Sequence, residues 1–271
     1  LFRSENAFKH MISSNMIKNP PITLDDINRA NQIYGPAPPL VQGKFTRKNP
    51  SKPISAHVPL PLQIHQRFKH VSLYVDFFYV NKIPFLHTKS SKINFLTVQS
   101  GKNRTKSSIL AGLERVVQTY NKRGFEVTNI SGDNEFNIES IHTALLPIKF
   151  DIFAAGEHSG VVERSVRTVK ERCRCMCYTL PYKRYTKLMT TSLVETALYW
   201  LNSFPSKGGA STTLSPASIV LGRSMPDMNR KHIVFGSYAM VFTGTTNNMK
   251  ARSVPAIALG PSNEWGGHFF M

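Results

Sequence analysis

Acid is scarce in this chain. Sixteen Asp and Glu stand against 34 Lys and Arg in 271 residues, which leaves a net charge of +18 at pH 7 and a pI near 10.0. An excess of that size argues for a polyanionic partner rather than an unspecialised soluble surface. Cysteine is scarcer still. Cys173, Cys175 and Cys177 are the whole complement, and an odd number packed into one segment builds no disulfide framework and suits a reducing compartment. Cys173 and Cys177 have the i, i+4 spacing of a chelate, but there is no further cysteine to complete a set, so they read as small buried hydrophobes. No apolar run approaches the roughly 18 residues that a membrane-spanning helix needs, and no secretory signal stands at the start. A leading Met is absent too; the chain opens on Leu1 and ends on an apolar run, and is expected to be a piece of a longer polypeptide.

Against that background one carboxylate stands out. Val71 to Val80 is rich in β-branched and aromatic residues without clean alternation, the pattern of a central strand covered on both faces, and Asp76 lies in its middle. An unpaired buried carboxylate costs several kcal/mol, so Asp76 has to be neutralised, paired with a base or bound to a metal. A nearby Arg or Lys at the strand's end serves as well as a metal does. Lys82 to Thr88 and Ile93 to Val98 read as the next two strands of a meander, joined by a polar turn at Lys89-Ser90-Ser91-Lys92.

Around these strands the chain divides into three stretches: 1–67, 68–205 and 206–271. In the first, Thr23 stands three residues ahead of Asp26 and opens a helix with Ile27, Ala30 and Ile33/Tyr34 on one face, stopped by Gly35-Pro36. A proline-containing linker is expected beyond it. Four Lys/Arg and no acid fall between Val41 and Lys52, as in an extended basic arm or a solvated linker.

In the second stretch, Ser107 or Ser108 caps a helix whose apolar face is Ile109, Leu110, Leu113, Val116, Val117 and Tyr120, ended by Gly124. A strand from Phe125 to Ile130 runs into Ser131-Gly132-Asp133, and an acid just past the carboxyl end of such a strand is where α/β sheets build sites. A short helix capped by Asn137 follows, with Ile138, Ile141 and Leu145 inward, and then a fifth strand with Ile148, Phe150 and Ile152 alternating. After a loop with two glycines comes a long helix, Val161 through Cys177. Its apolar stripe is Val162, Val166, Val169, Cys173 and Met176/Cys177, while Glu163, Arg167, Lys170 and Arg174 share another face. One acid heading a row of cations suits a metal-bound phosphate entering a basic groove; an ordinary solvated helix face with i, i+4 pairs has the same pattern. From Val161 to Lys187 eight Lys/Arg meet two Glu, and Arg164, Arg167, Lys170, Arg174, Lys183, Arg184 and Lys187 are the candidate nucleic-acid contacts. A helix from about Tyr185 to Phe204 and, in the third stretch, strand-like pieces at Ile233 to Phe242 and Val254 to Leu259 complete the chain.

Strand, hairpin, helix, strand with Asp, strand, helix with Glu is the order of an RNase H-like fold bearing a D,D,E triad, and the motifs resemble the integrase region of Copia-type LTR retrotransposon polyproteins. The residues that carry the resemblance are Val75-Asp76, the run Ser131 to Phe136, and His158-Ser159-Gly160-Val161-Val162-Glu163-Arg164. Further on, so do Ser215-Pro216 with Leu221 to Pro226, Val234-Phe235-Gly236-Ser237 and Arg252 to Gly260. The likeness spans about residue 68 to the end. It implies a mixed five-stranded α/β sheet flanked by helices, with an N-terminal helical and basic extension and a small C-terminal β-rich segment.

It also implies Asp76, Asp133 and Glu163 as catalytic metal ligands for two Mg²⁺ (or Mn²⁺), DNA as element ends and target, 3′-end processing and strand transfer. A homo-oligomer, other parts of a polyprotein as partners and a nuclear site of action follow from the same resemblance. Glu135 and Glu157 are rivals for the third acid, on loops rather than a helix. Two departures stand beside the likeness. Only 29 residues (134–162) separate Asp133 from Glu163, fewer than is usual in the family, and the Pro of the loop before the Glu is missing. No Cys precedes Cys173, so the family's amino-terminal zinc module is not expected and no zinc with it. A decayed integrase that only binds nucleic acid, and an RNase H-type nuclease, are the competing expectations; the latter calls for a fourth acid, and Asp151 lies near the end of a strand but not at a matching place.

Overall fold

The computed structural model describes residues 5–46, 57–101, 104–153, 160–228, 233–244, 248–261 and 268–271. The chain divides into two compact units. One is Leu1–Lys52, Tyr238–Ile257 and Phe270–Met271; the other is Pro53–Ser237 and Ala258–Phe269.

In the first unit, α1 (Glu5–Ser13) carries the i, i+4 pair Glu5–Lys9. Helix α2 (Leu24–Tyr34) begins at the expected capping box: Asp26 N–H donates to Thr23 Oγ1 (3.2 Å) and Thr23 N–H donates to Asp26 Oδ2 (2.8 Å). Gly35, at φ 66°, ends it. The expected linker beyond is instead a helix, α3 (Pro38–Lys44), with proline in its first turn, where a helix leaves N–H groups unbonded in any case. Of the proposed basic arm, Arg47, Lys48 and Lys52 lie outside the described residues.

The second unit opens on α4 (Leu62–Phe68), which the sequence pattern does not announce. Strands β1 (His70–Val80), β2 (Ile83–Ser90) and β3 (Leu96–Ser100) form the antiparallel meander. Helix α5 (Lys106–Asn121) leads to β4 (Glu126–Gly132), a short turn of helix at Asn134–Phe136, α6 (Glu139–Ala144), β5 (Lys149–Ile152), α7 (Gly160–Tyr178), α8 (Lys187–Asn202) and α9 (Pro216–Leu221). The sheet order is β3-β2-β1-β4-β5, with β1–β2 and β2–β3 antiparallel and β1–β4 and β4–β5 parallel. This is the mixed sheet of the RNase H-like class, with β1 at its centre. A second, small sheet has the order β6-β7-β8 (Tyr238–Phe242, Ser253–Pro261, His268–Phe270).

The two faces of the large sheet pack differently. Val71, Leu73 and Val75 of β1 join Leu86, Leu113, Val116, Tyr120 and Ile130 in one buried cluster beneath α5. On the opposite face Phe78 and Phe85 stack at 5.4 Å between ring centres, and α7 lies across β1 and β2.

Several boundaries differ from the sequence reading. Lys89 and Ser90 extend β2 rather than turning, and the third strand begins at Leu96 rather than Ile93. Ile93 and Phe95 are apolar because they plug the core from a wide turn, in which Lys92 (φ 55°) and Asn94 (φ 58°) take the left-handed conformation. The cap of α5 is Thr105, not Ser107 or Ser108: Thr105 has the extended backbone a cap requires, and Ser108 supplies the amide it accepts. Asn137 does not cap α6; that position falls to Ile138, which makes no side-chain cap bond, while the Asn137 amide closes the preceding turn on Asn134. In the C-terminal piece, residues 233–237 form a turn with Gly236 at φ 81°, and the strand starts only at Tyr238.

Candidate active site

Asp76 sits past the middle of β1, on the face that α7 covers. Its carboxyl is half-buried, not fully enclosed as the strand's composition suggests, and Oδ1 accepts the N–H of the next residue, Phe77, at 2.7 Å. Burial raises its pKa above the ordinary carboxylate value; the Phe77 amide opposes that shift, the charge of Asp133 reinforces it, Lys170 opposes it and Glu163 adds a smaller push in the same direction as Asp133. Two acids, 57 and 87 positions further along the chain, therefore bear on Asp76 from just past β4 and from the start of α7. Like charges held together cost free energy unless a cation stands among them.

Each acid is placed by a different element. β4 runs parallel beside β1 with Gly132 opposite Val75, so Asp133 leaves its strand level with Asp76. Gly132 makes that approach possible: a Cβ there would stand 2.6 Å from Val75 Cγ1 and 2.9 Å from Phe136 Cδ2. Phe136 in turn stacks on Phe77 at 5.5 Å with rings almost parallel, holding the post-β4 turn against β1. Glu163 is in the first turn of α7, exposed, while Val162, Ser165, Val166, Val169 and Cys173 of the same helix are buried.

The rival acids are differently engaged. Glu135 forms an ion pair with Arg104, whose guanidinium also donates to Tyr79 Oη (2.9 Å) and lies 4.9 Å from the Phe77 ring centre. Asp151, on β5, is exposed and accepts from Asn129 Nδ2 at 3.2 Å. Glu157 and His158 lie outside the described residues.

The donor chemistry of Asp76, Asp133 and Glu163 fits a hard divalent cation, since carboxylate oxygen is what such ions take. Asp76 is strained in the sense a cation relieves, being both desolvated and facing two like charges. Among the described residues, however, no three Asp, Glu, His or Cys side chains are gathered into a finished metal cage. Asp133 and Glu163 act on Asp76 electrostatically, but the three carboxylates do not form a ligand set.

The cationic candidates spread over α7 and the segment after it. Arg164, Arg167, Arg174, Lys183, Arg184 and Lys187 are exposed, and Lys170 is half-buried with Nζ 5.9 Å from the Phe78 ring centre. Among the described residues none of these seven takes part in an ion pair. Of the cysteines, Cys173 is buried and its thiol is pushed up to about 12 by that burial, as befits a packing residue, whereas Cys175 is exposed.

Two residues at the site carry no signal in the sequence pattern. His87 is fully buried on the Asp76 face of β2, and Lys89, two positions on along the same face, has its pKa lowered first by burial and then by the charge of Arg164. The run His87-Thr88-Lys89 looks like an ordinary strand end followed by a polar turn; only the pairing of β2 with β1 and the docking of α7 give it a place.

No protein-family model matches this chain, and no curated protein matches it. Among solved structures it is similar to the catalytic core domain of BIV integrase, at 20% identity and a TM-score of 0.43, over 55% of this chain and 93% of that one.

Proposed function

We propose that this chain is a retrotransposon integrase fragment of Copia type, which binds DNA and carries out metal-dependent 3′-end processing and strand transfer. What supports the reading is that Asp133, just past the end of β4, and Glu163, in the first turn of α7, both bear electrostatically on the half-buried Asp76 of β1, the central strand of an RNase H-like sheet. The motifs around all three, in the same order, resemble that family. The net charge of +18 supports a polyanionic substrate.

In this reading Asp76, Asp133 and Glu163 hold Mg²⁺ or Mn²⁺, which when bound supplies activation of an attacking oxygen and stabilisation of a leaving one. The chain's own residues do the rest. Lys170, close enough to Asp76 to act on its charge, faces the phosphate that bears the reacting bond, while Arg167 and Arg174 continue the same helix face and hold the strand beyond it. Contacts of that kind go to the phosphate backbone and position the duplex without reading its sequence. The chain is read as acting in the nucleus, as a homo-oligomer released from a polyprotein.

The competing reading keeps the fold and loses the chemistry. What favours it is that the three acids form no finished cage and that the Asp133 to Glu163 interval is short. A strand-transfer assay on a short duplex decides between them: Mg²⁺-dependent joining supports the integrase reading, and salt-sensitive binding with no joining under Mg²⁺ or Mn²⁺ supports the binding-only one.

A further inference from the structure

Of the three acids, Glu163 rests on the least constrained support. Asp76 and Asp133 belong to neighbouring strands tied by a ladder, whereas Glu163 belongs to a helix that meets the sheet through side chains alone. An apolar stripe such as Val162, Val166, Val169 and Cys173 decides which face of α7 turns inward. It does little to fix the helix against small rotations or shifts along its axis, because dispersion contacts are non-directional. Directional bonds do fix such things, and one buried pair supplies them here.

His87 of β2 is 0% exposed and Ser165 of α7 is 6% exposed. His87 Nε2 and Ser165 Oγ are 2.8 Å apart, and on the other side of the ring Nδ1 lies 2.9 Å from the carbonyl oxygen of Thr97 on β3. A carbonyl only accepts, so Nδ1 carries the proton and Nε2 is an acceptor of the neutral ring that faces the Ser165 hydroxyl. The same Oγ is 2.8 Å from the carbonyl oxygen of Val162, so the hydroxyl's single proton is shared between Nε2 and that carbonyl, which lies in the first turn of its own helix. Phe78 meets the imidazole edge-on at 5.8 Å and closes it in.

The place of this pair matters as much as its burial. His87 is the residue directly opposite Asp76 in the β1–β2 ladder, and Ser165 is two positions from Glu163. The tie therefore runs from the rung of the sheet that bears the first acid to the turn of the helix that bears the third. Two apolar side chains of similar volume would hold the helix at less cost in desolvation, since a buried polar pair gains only a modest net amount and loses heavily when one partner is removed.

We infer that His87 and Ser165 are positioning residues, which set the first turn of α7 on the sheet and so determine where the Glu163 carboxylate stands relative to Asp76. The inference rests on the reading of Asp76, Asp133 and Glu163 as a metal-ligand set. Neither His87 nor Ser165 touches the metal or the substrate in this scheme; both act through Glu163.

The test uses the full chain without DNA and reads Mn²⁺ binding directly, from the electron paramagnetic resonance signal of the free ion, with thermal melting and duplex binding measured alongside. Ser165→Ala removes the hydroxyl and should weaken Mn²⁺ binding roughly tenfold, the size seen when a group supporting a metal ligand is lost, while duplex affinity stays within about twofold of the unmodified chain. Ser165→Thr keeps the hydroxyl and should restore Mn²⁺ binding, an outcome that a role in packing alone does not predict. His87→Phe should weaken binding as Ser165→Ala does, and the double substitution should be no worse than either alone; if His87→Phe does not fold, the two Ser165 variants still decide the matter. Binding weakened by Glu163→Gln but unchanged by Ser165→Ala, or lost in Ser165→Ala and not recovered in Ser165→Thr, overturns the inference alone. Mn²⁺ binding that is absent from the unmodified chain, or indifferent to Glu163→Gln, overturns the ligand-set reading and the inference with it.

Discussion

Asp76 and His87 are direct partners across the antiparallel β1–β2 ladder, so an acid and an imidazole share one face of the sheet. They do not form an ion pair. Both ring nitrogens of His87 are already engaged, by Thr97 and Ser165, and burial holds its pKa down from 6.5 to about 4. The relief Asp76 needs has to come from elsewhere, and Lys170 is the cation that acts on it.

A neutral buried histidine makes stability depend on pH in a definite direction. The unfolded chain takes up the proton near pH 6.5 and the folded chain resists it until about pH 4, so the contribution is complete above 6.5 and is lost as pH falls through that window. A gap of that size corresponds to at most about 3 kcal/mol. Urea unfolding between about pH 7.5 and pH 4.5 should show the loss, and His87→Gln should flatten it; equal slopes for the two proteins would remove the buried imidazole from the account.

Glu163→Gln separates a catalytic acid from a helix-surface one. It should abolish Mg²⁺-dependent joining while changing stability by no more than a few tenths of a kcal/mol, since Glu163 is exposed and even an i, i+4 pair with Arg167, which is not formed among the described residues, would be worth no more than that. Glu135→Gln should instead leave measurable joining, because Glu135 is committed to Arg104. Full activity in Glu163→Gln would show that the third ligand lies elsewhere.

Gly132→Ala puts a methyl group where Val75 Cγ1 and Phe136 Cδ2 stand 2.6 and 2.9 Å away. The overpacking should cost about 1–3 kcal/mol. Because β4 has to move from β1 to make room, Asp133 moves with it, and joining should fall by more than the loss of folded protein explains. A variant that melts normally and joins at the normal rate would refute the close approach.

Duplex binding should be governed by phosphate contacts along α7. Affinity is expected to fall steeply with salt and to vary little with sequence, and replacing Arg167, Lys170 and Arg174 together by Ala should reduce the slope of log K against log salt by about 2–3. Fluorescence anisotropy on two unrelated duplexes at several salt concentrations measures both quantities. A slope left unchanged by the triple substitution would place the DNA on another surface.

The sequence by itself determined the elements whose signals are local: the Thr23–Asp26 box that starts α2, the apolar faces of α5 and α7, the alternation of β5, and β1 as a strand unusual for the acid inside it. Periodicity and the Thr23–Asp26 box act over a few residues, so they can be read without the tertiary arrangement. The order of the elements from β1 to α7 was legible as well, and the family resemblance carried by that order implied the mixed sheet. What only the tertiary structure decided is whatever depends on contacts between distant segments. Ile93 and Phe95 look like strand residues in one dimension and prove to be plugs in a turn. Asp76 looks enclosed and proves half-open, its environment set by Asp133, Glu163 and Lys170, residues 57 or more positions away. His87 and Ser165 are 78 positions apart and have no pattern of their own; each is an ordinary polar residue until β2 pairs with β1 and α7 closes over them. A hydrogen bond between buried side chains is fixed by where two backbones meet in space, and no local propensity encodes that meeting.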